Sequence, residues 1–278
     1  MPRRTAVYLG KKQNKRSKTK NSYRRTRILD TTRKFDGRAA DYTTGRPGYA
    51  NALIECMYSR YGISSSSVIA DIGSGTGKFA WYLLDKGNPV YCVEPNQDMR
   101  NEAERELGIY PNFISVCGTA ENTTLTGDSV DIITTAQAFH WFDVYGFRKE
   151  CHRILRDKGK VFLVWNSRNQ EDVINQAQCE INAHYCPDFK GFNGGIQHDD
   201  QRIRDFFHDE YEYLTFDNPL ILDKKKYIAR CLSSSYSLKQ GDKGFKQYLD
   251  ALEKLFDKYE EKGSISISNS SVAYVGSV

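Results

Sequence analysis

A chain of 278 residues with 39% hydrophobic residues is long enough for one large α/β domain or two small ones. Its seven cysteines are scattered and none forms a C-x-x-C pair, which argues against a zinc ribbon, a redox motif or another metal site. No apolar run approaches the roughly 18–20 residues that a membrane span needs, so we expect no span and a reducing, cytoplasmic location.

The basic residues are concentrated at the beginning of the chain. Residues 1–34 contain 13 Lys/Arg and one acid, a net charge of +12, so the remainder carries −7 within the total of +5. Few apolar residues and mutual repulsion predict a disordered extension. It could bind nucleic acid through phosphates, act as a nuclear or organellar address, contact anionic lipid, or be only a solvated extension.

From Phe35 onward, helices and strands are predicted to alternate. A helix follows Pro47 and ends at Gly62, a strand covers 67–72, and a second helix ends at Gly87. The next elements are strands at 90–94, 113–117, 130–136 and 161–165, with helices at 98–107 and around 147–155. Such alternation implies right-handed βαβ units and a doubly wound, mostly parallel α/β sheet.

The second half of the chain is less regular. Residues 211–216 alternate like a strand, and 265–275 are predicted as one last strand, which would complete a seven-stranded sheet. Residues 167–208 and 223–262 are predicted to be helical inserts on the substrate side of a single domain spanning 35–278.

The turn Gly73-Ser74-Gly75-Thr76-Gly77 joins a predicted strand to a predicted helix. Glycines allow tight backbone and close approach of a ligand, and the helix start offers unpaired N–H groups. In an open parallel sheet the ligand crevice lies at the carboxyl ends of the strands, where strand order reverses. A dinucleotide fingerprint fails because Lys78 stands where a glycine is needed, and the turn is one residue too short for a phosphate loop.

Six segments in order resemble class I S-adenosylmethionine-dependent methyltransferases of the type 11 group. V-I-A-D-I-G-S-G-T-G-K-F-A resembles their first motif. The others are F-D-G-R-A-A-D-Y-T-T-G-R-P-G-Y, V-E-P-N-Q-D-M, G-T-A-E-N, S-V-D-I-I-T-T-A-Q-A-F-H-W-F and R-I-L-R-D-K-G-K-V-F-L-V-W. The resemblance runs from about Phe35 to Trp165 and implies a Rossmann-like methyltransferase fold with S-adenosyl-L-methionine as cofactor.

The resemblance assigns cofactor-binding roles around the glycine turn. Gly73, Ser74 and Gly75 would let the backbone approach the methionine and ribose portions. Asp71 would either orient the turn or meet the ammonium group of the ligand. Glu94 would accept both ribose hydroxyls through its two carboxylate oxygens.

Further roles fall on the loops that follow the next strands. Met99 would cover the adenine face, unless it serves only helix packing. The backbone at Ala120 and Glu121 would meet the adenine edge. Gln137 would lie near the sulfonium, where the chain leaves the fourth predicted strand.

Three more residues would complete the site. Tyr42 and Arg46 would close the carboxylate end of the cofactor, with Arg46 as the carboxylate partner unless it only pairs locally. His140 is the candidate general base, because an imidazole with a free pKa of about 6.5 suits proton transfer. The alternative is that His140 and its aromatic neighbours only pack.

Three functions follow from these features. The first is methyl transfer to a small-molecule acceptor by in-line displacement. The second is nucleic-acid methylation with residues 1–34 as a phosphate anchor, although T-A-Q-A-F-H-W differs from the [DN]-P-P-[YF] loop of base methyltransferases and no Pro-Cys nucleophile is present. The third is a cofactor-binding module without catalysis. Neither the acceptor nor the oligomeric state can be read from the sequence.

Overall fold

A computed structural model describes residues 48–192 and 200–278, and these ranges contain eight α-helices and nine β-strands. The helices are α1 (Asn51–Tyr61), α2 (Ala80–Asp85), α3 (Gln97–Leu107), α4 (Val144–Ile154), α5 (Val173–Tyr185), α6 (Gln201–Phe207), α7 (Lys224–Leu232) and α8 (Phe245–Tyr259). The strands are β1 (Ile69–Ile72), β2 (Val90–Val93), β3 (Phe113–Val116), β4 (Val130–Ala136), β5 (Leu155–Arg168), β6 (Tyr211–Asp217), β7 (Leu220–Asp223), β8 (Ser264–Ile267) and β9 (Asn269–Gly276).

Seven strands form one sheet in the order β3-β2-β1-β4-β5-β9-β6. The first five are parallel, while β9 runs antiparallel between β5 and β6. The predicted doubly wound, mostly parallel seven-stranded sheet is therefore confirmed. Strand order reverses between β1 and β4, so the crevice expected of such a sheet lies at the carboxyl ends of these two strands.

Helices cover both faces of this sheet, which is why its central strands are buried on both sides. Along β1, Ile69 packs on one face with α1 and α2, while Ala70 and Ile72 pack on the other with α4 and α6. On the second face the rings of Phe147 in α4 and Phe206 in α6 stack with centroids 5.2 Å apart.

The predicted single strand at 265–275 is wrong, because the chain divides at Ser268 into β8 and β9. The Ser268 N–H donates to Asp172 Oδ2 at 3.0 Å instead of continuing a ladder. Strand β8 pairs with β7, which the sequence did not predict, in a separate two-stranded sheet. Ile265 and Ile267 thereby enter a third apolar cluster, built mainly by α5, α7 and α8.

The two predicted inserts contain different elements. The range 223–262 holds α7 and α8, and the range 167–208 holds α5, the end of β5, and α6, which packs on the central sheet. Their role on the substrate side stays a prediction.

The basic extension 1–34 lies outside the described residues. Within the part of the chain that the structure describes, no helix has both the length and the apolarity to cross a membrane.

Candidate functional site

The glycine turn follows the carboxyl end of β1 and has backbone angles that residues other than glycine rarely adopt. Gly73 has a φ of 68°, and its N–H donates to the carbonyl of Val93 in β2 at 2.8 Å. A Cβ added at Gly73 would lie 2.7 Å from the Cβ of Ala138 and 3.0 Å from the ring of Phe142. At Gly75, with a φ of 57°, a Cβ would meet nothing within 4 Å among the described residues. The turn is thus tight on the β4 side and open at Gly75.

Glu94 directly follows β2 and connects the glycine turn to the start of α3. Its Oε2 accepts from the Gly75 N–H at 3.0 Å, and its Oε1 accepts from the Asn96 N–H at 2.9 Å. Burial raises the pKa of this carboxyl, while the two backbone hydrogen bonds and the charge of Arg100 act in the opposite direction. A carboxylate oxygen can accept two hydrogen bonds, so each one keeps capacity for a further donor.

Asp71 lies within β1 and is fully buried. Its Oδ1 accepts from the Thr134 hydroxyl in β4 at 2.7 Å, whereas its Oδ2 has no hydrogen-bond partner among the described residues. Burial raises the pKa of Asp71 to about 7; the Thr134 hydrogen bond opposes this rise and the charge of Glu94 adds to it. The observed bond joins two strands and does not hold the glycine turn. A buried acceptor with spare capacity suits a cationic or donor group of a ligand.

The raised pKa of Asp71 predicts how the stability of the ligand-free protein depends on pH. The folded state holds this proton more tightly than the unfolded chain, so the free energy of unfolding should fall as pH rises between 3.8 and about 7. Asp71→Asn removes the titration and should therefore shrink the loss of melting temperature between about pH 5 and about pH 8. Thermal melting at both pH values tests this, with the exposed Asp157→Asn as control. An unchanged pH dependence in Asp71→Asn would contradict the assignment.

Gln137 follows β4 and has left-handed backbone with a φ of 59°. Its N–H donates to the Val164 carbonyl at 2.9 Å, and its Nε2 donates to the Asn166 carbonyl at 3.3 Å. A non-glycine residue in this region costs on the order of 1–3 kcal/mol, and such strain concentrates at functional sites. As predicted, Gln137 lies where the chain leaves β4, at the carboxyl edge of the sheet where strand order reverses. The next residue, Ala138, lies against Gly73.

His140 occupies a short 3₁₀ turn, Phe139–Trp141, after β4. Its ring is half-buried, with its centroid 4.6 Å from that of Trp141. Phe139 is a core residue, packed edge-on against Trp165 at 6.1 Å and Phe206 at 5.3 Å. The aromatic run is therefore divided: Phe139 fills the core, while His140 remains partly accessible.

The predicted adenine-side residues have different surroundings. Met99 is buried in the first turn of α3, and its N–H donates to the Asn96 side chain at 3.0 Å. Ala120 is a core residue in a loop closed by reciprocal backbone hydrogen bonds between Thr119 and Asn122.

The side chain of Glu121 in the same loop has a local role. It accepts the N–H of Asp143, the residue that caps the start of α4, at 2.9 Å. The contact with the adenine edge was predicted for the backbone of this loop and not for the Glu121 side chain, and it stays a prediction. Tyr42 and Arg46 lie outside the described residues, and the roles given to Ser74, Met99, Ala120 and Gln137 also stay predictions.

The sequence did not reveal a polar cluster at the carboxyl edge of β5. Asn166 and Asn218 both donate to the carbonyl of Gly48, at 3.0 and 2.9 Å, and Ser271 donates to the Asn166 side chain at 2.7 Å. The backbone carbonyl of Asn166 also accepts the hydrogen bond from the Gln137 side chain. These partners are far apart in the chain, so no local spacing could have identified them.

At the strand-order reversal, where a doubly wound sheet is expected to bind its ligand, the glycine turn follows β1 and the acid Glu94 follows the neighbouring strand β2. Residues 70–163 match a family described as methyltransferase domain. The match covers about a third of the chain, so it shows that this segment is similar to methyltransferase domains, in agreement with the resemblance of its motifs.

Two relatives show the same similarity over a comparable part of the chain. An uncharacterized methyltransferase of Mycobacterium tuberculosis is 33% identical over 141 residues, which are 51% of this chain and 55% of the relative. An uncharacterized methyltransferase-like protein of Schizosaccharomyces pombe is 30% identical over 159 residues, 57% of this chain and 61% of the relative. The chain thus matches little more than half the length of these relatives.

Two solved structures share the fold. One from Anaeromyxobacter dehalogenans, assigned as a type II methyltransferase, has a TM-score of 0.59 at 18% identity and covers 84% of this chain and 97% of its own. One from Anabaena variabilis, assigned as a methyltransferase of an antibiotic biosynthesis pathway, has a TM-score of 0.56 at 20% identity, with 83% and 98% covered. At these identities the likeness extends to the fold only.

Proposed function

We propose that the protein is an S-adenosyl-L-methionine-dependent methyltransferase that acts on a small-molecule acceptor. The observation that carries the proposal is the contact between the Gly75 N–H and the Glu94 carboxylate beyond the carboxyl ends of β1 and β2, next to the reversal of strand order. It joins the turn expected beneath the ligand to the acid expected at its ribose, inside a segment that matches a methyltransferase domain.

The residues present fit an adenosyl sulfonium ligand. Glu94 keeps acceptor capacity on both oxygens, which suits the two hydroxyls of a ribose. Asp71 has a buried oxygen without a partner among the described residues, which suits an ammonium group directly or through water. At Gly75, no described residue occupies the space that a side chain would fill.

The bound cofactor would supply a methyl group already activated on sulfur, so the protein mainly needs to place the acceptor in line and exclude water. Gln137 and His140 lie after β4 at the edge where that acceptor would approach. His140 would take the proton of an acceptor that starts protonated. The small-molecule acceptor is favoured over a nucleic acid because the chain that leaves β4 has the sequence T-A-Q-A-F-H-W and not the [DN]-P-P-[YF] loop of base methyltransferases.

Methyl-labelled S-adenosyl-L-methionine incubated with the protein and fractionated cell extract tests the proposal. Label should enter the small-metabolite fraction, and His140→Ala should lower its incorporation about tenfold or more while the cofactor Kd changes less than about twofold. His152→Ala, at an exposed position of α4, is the control. Label in RNA would favour the nucleic-acid alternative, and binding without any transfer would favour a non-catalytic module. Full incorporation by His140→Ala would remove His140 from the mechanism.

A further inference from the structure

The loop that presents Glu94 is held by a side chain that no motif singles out. Arg100 belongs to α3 and is only 8% exposed. Its Nη1 donates to the carbonyl of Glu94 at 2.7 Å and to the carbonyl of Pro95 at 2.8 Å. Its Nη2 donates to Gln97 Oε1 at 2.5 Å. One guanidinium thus holds the carbonyl groups of two consecutive peptide bonds, Glu94–Pro95 and Pro95–Asn96.

Two carbonyl oxygens that converge on one nitrogen repel each other, and a positively charged donor between them offsets this repulsion. Arginine supplies a charged donor whose planar fork can hold several acceptors in fixed directions. The Glu94 N–H is already committed to the Val116 carbonyl of β3 at 3.0 Å. With Arg100 on its carbonyl, the backbone of Glu94 is held at both its N–H and its C=O, which sets the direction of its Cα–Cβ bond.

The side chain of Glu94 spans two backbone donors, the N–H groups of Gly75 and Asn96. Both bonds need the carboxylate within a few tenths of an ångström of its present place, because hydrogen bonds weaken steeply away from their preferred geometry. The same guanidinium charge also favours the ionised form of Glu94 against the effect of burial.

Building on the proposed function, we propose that Arg100 is a positioning residue for the cofactor: it holds the Glu94–Pro95 backbone so that the Glu94 carboxylate meets the ribose hydroxyls. Arg100 acts through Glu94 and does not itself contact the ligand. Its removal should therefore weaken adenosyl ligands only as long as Glu94 is present.

The test is the Kd of S-adenosylhomocysteine, measured by calorimetry in the full chain. Arg100→Met keeps the aliphatic stem and removes the donors, so it should raise the Kd about tenfold, a loss of about 1.4 kcal/mol. Arg100→Lys can reach only part of the acceptor set and should show a smaller increase. Arg105→Met is the matched control, because Arg105 lies on the same helix but its side chain is 66% exposed and pairs with Glu102 and Glu106.

Two further readouts separate positioning from a general effect on folding. In a Glu94→Ala background, Arg100→Met should change the Kd less than about twofold, because the group it positions is gone. In the ligand-free protein, amide exchange of Gly75 and Asn96 should accelerate in Arg100→Met and stay unchanged in Arg105→Met. If Arg100→Met does not fold, Arg100→Lys carries the same comparisons.

A Kd within about twofold of the wild type in the folded Arg100 variant would overturn the assignment. So would the same loss with and without Glu94. These results differ from failure of the proposed function, in which the unaltered protein itself would not bind S-adenosylhomocysteine and both proposals would fall.

Discussion

Replacing Glu94 with alanine is expected to weaken S-adenosyl-L-methionine binding by well over tenfold. Hydrogen bonds to a charged group contribute about 1.5–3 kcal/mol each, and two ribose hydroxyls would lose theirs together. The substitution also releases the N–H groups of Gly75 and Asn96, which hold the turn and the start of α3. Calorimetric titration with the cofactor or with S-adenosylhomocysteine measures the effect.

Matched variants separate contact with ribose from a disordered turn. Glu106→Ala, at an exposed position of α3, should bind normally. Glu94→Gln should show an intermediate loss, because its amide nitrogen cannot accept the backbone N–H that a carboxylate oxygen accepts. A 2′-deoxy analogue of S-adenosylhomocysteine should bind the unaltered protein less well, and Glu94→Ala should cost less affinity for this analogue than for S-adenosylhomocysteine, because one of the two hydroxyl contacts is already absent. Unchanged affinity in Glu94→Ala would refute the ribose assignment.

Local patterns were sufficient to predict the central sheet and the glycine turn at the end of β1. Each parallel strand is a short apolar run bounded by turn residues, and each helix between strands has its own apolar stripe. The carboxyl end of β1 was predictable because only glycine satisfies both the left-handed φ and the close approach of Ala138. These signals lie within a few residues of the features they specify.

What was not predicted depends on partners distant in the chain. The break at Ser268 is decided by Asp172, and the pairing of β7 with β8 spans the whole of α7 and α8. Asn166 and Gly48 likewise meet only in the folded chain. A polar side chain gives no sign in the sequence of which distant backbone group it will satisfy.

Arg100 was missed for another reason, because its contacts are local. Arginine on an amphipathic helix usually extends into water, so the sequence favours a solvated side chain. Here the helix start is packed closely enough on the Glu94 loop that the guanidinium is buried among backbone carbonyls. Helical spacing predicts the face a residue occupies, but not whether a neighbouring loop covers that face.

Gly73→Ala is expected to destabilise the protein and to abolish measurable cofactor binding, whereas Gly62→Ala should only destabilise it. Both glycines have a φ of 68°, so both variants incur the left-handed backbone strain of about 1–2 kcal/mol. Gly62 ends α1, and within residues 48–192 and 200–278 no atom would lie within 4 Å of an added Cβ. At Gly73 the new methyl would meet Ala138 at 2.7 Å and Phe142 at 3.0 Å, so the turn or the exit of β4 must move.

The difference between these variants isolates close packing of the turn from backbone strain. Melting temperatures should fall further for Gly73→Ala, and only this variant should lose affinity for S-adenosylhomocysteine in calorimetry. Adding Ala138→Gly should recover part of the affinity, because it removes the nearest contact and leaves the one with Phe142. Equal melting temperatures with full binding in both single variants would show that the turn accepts a side chain, and Gly73 would then have no special role in admitting the cofactor. Recovery by Ala138→Gly would instead establish that the ends of β1 and β4 act as one packed unit beneath the ligand.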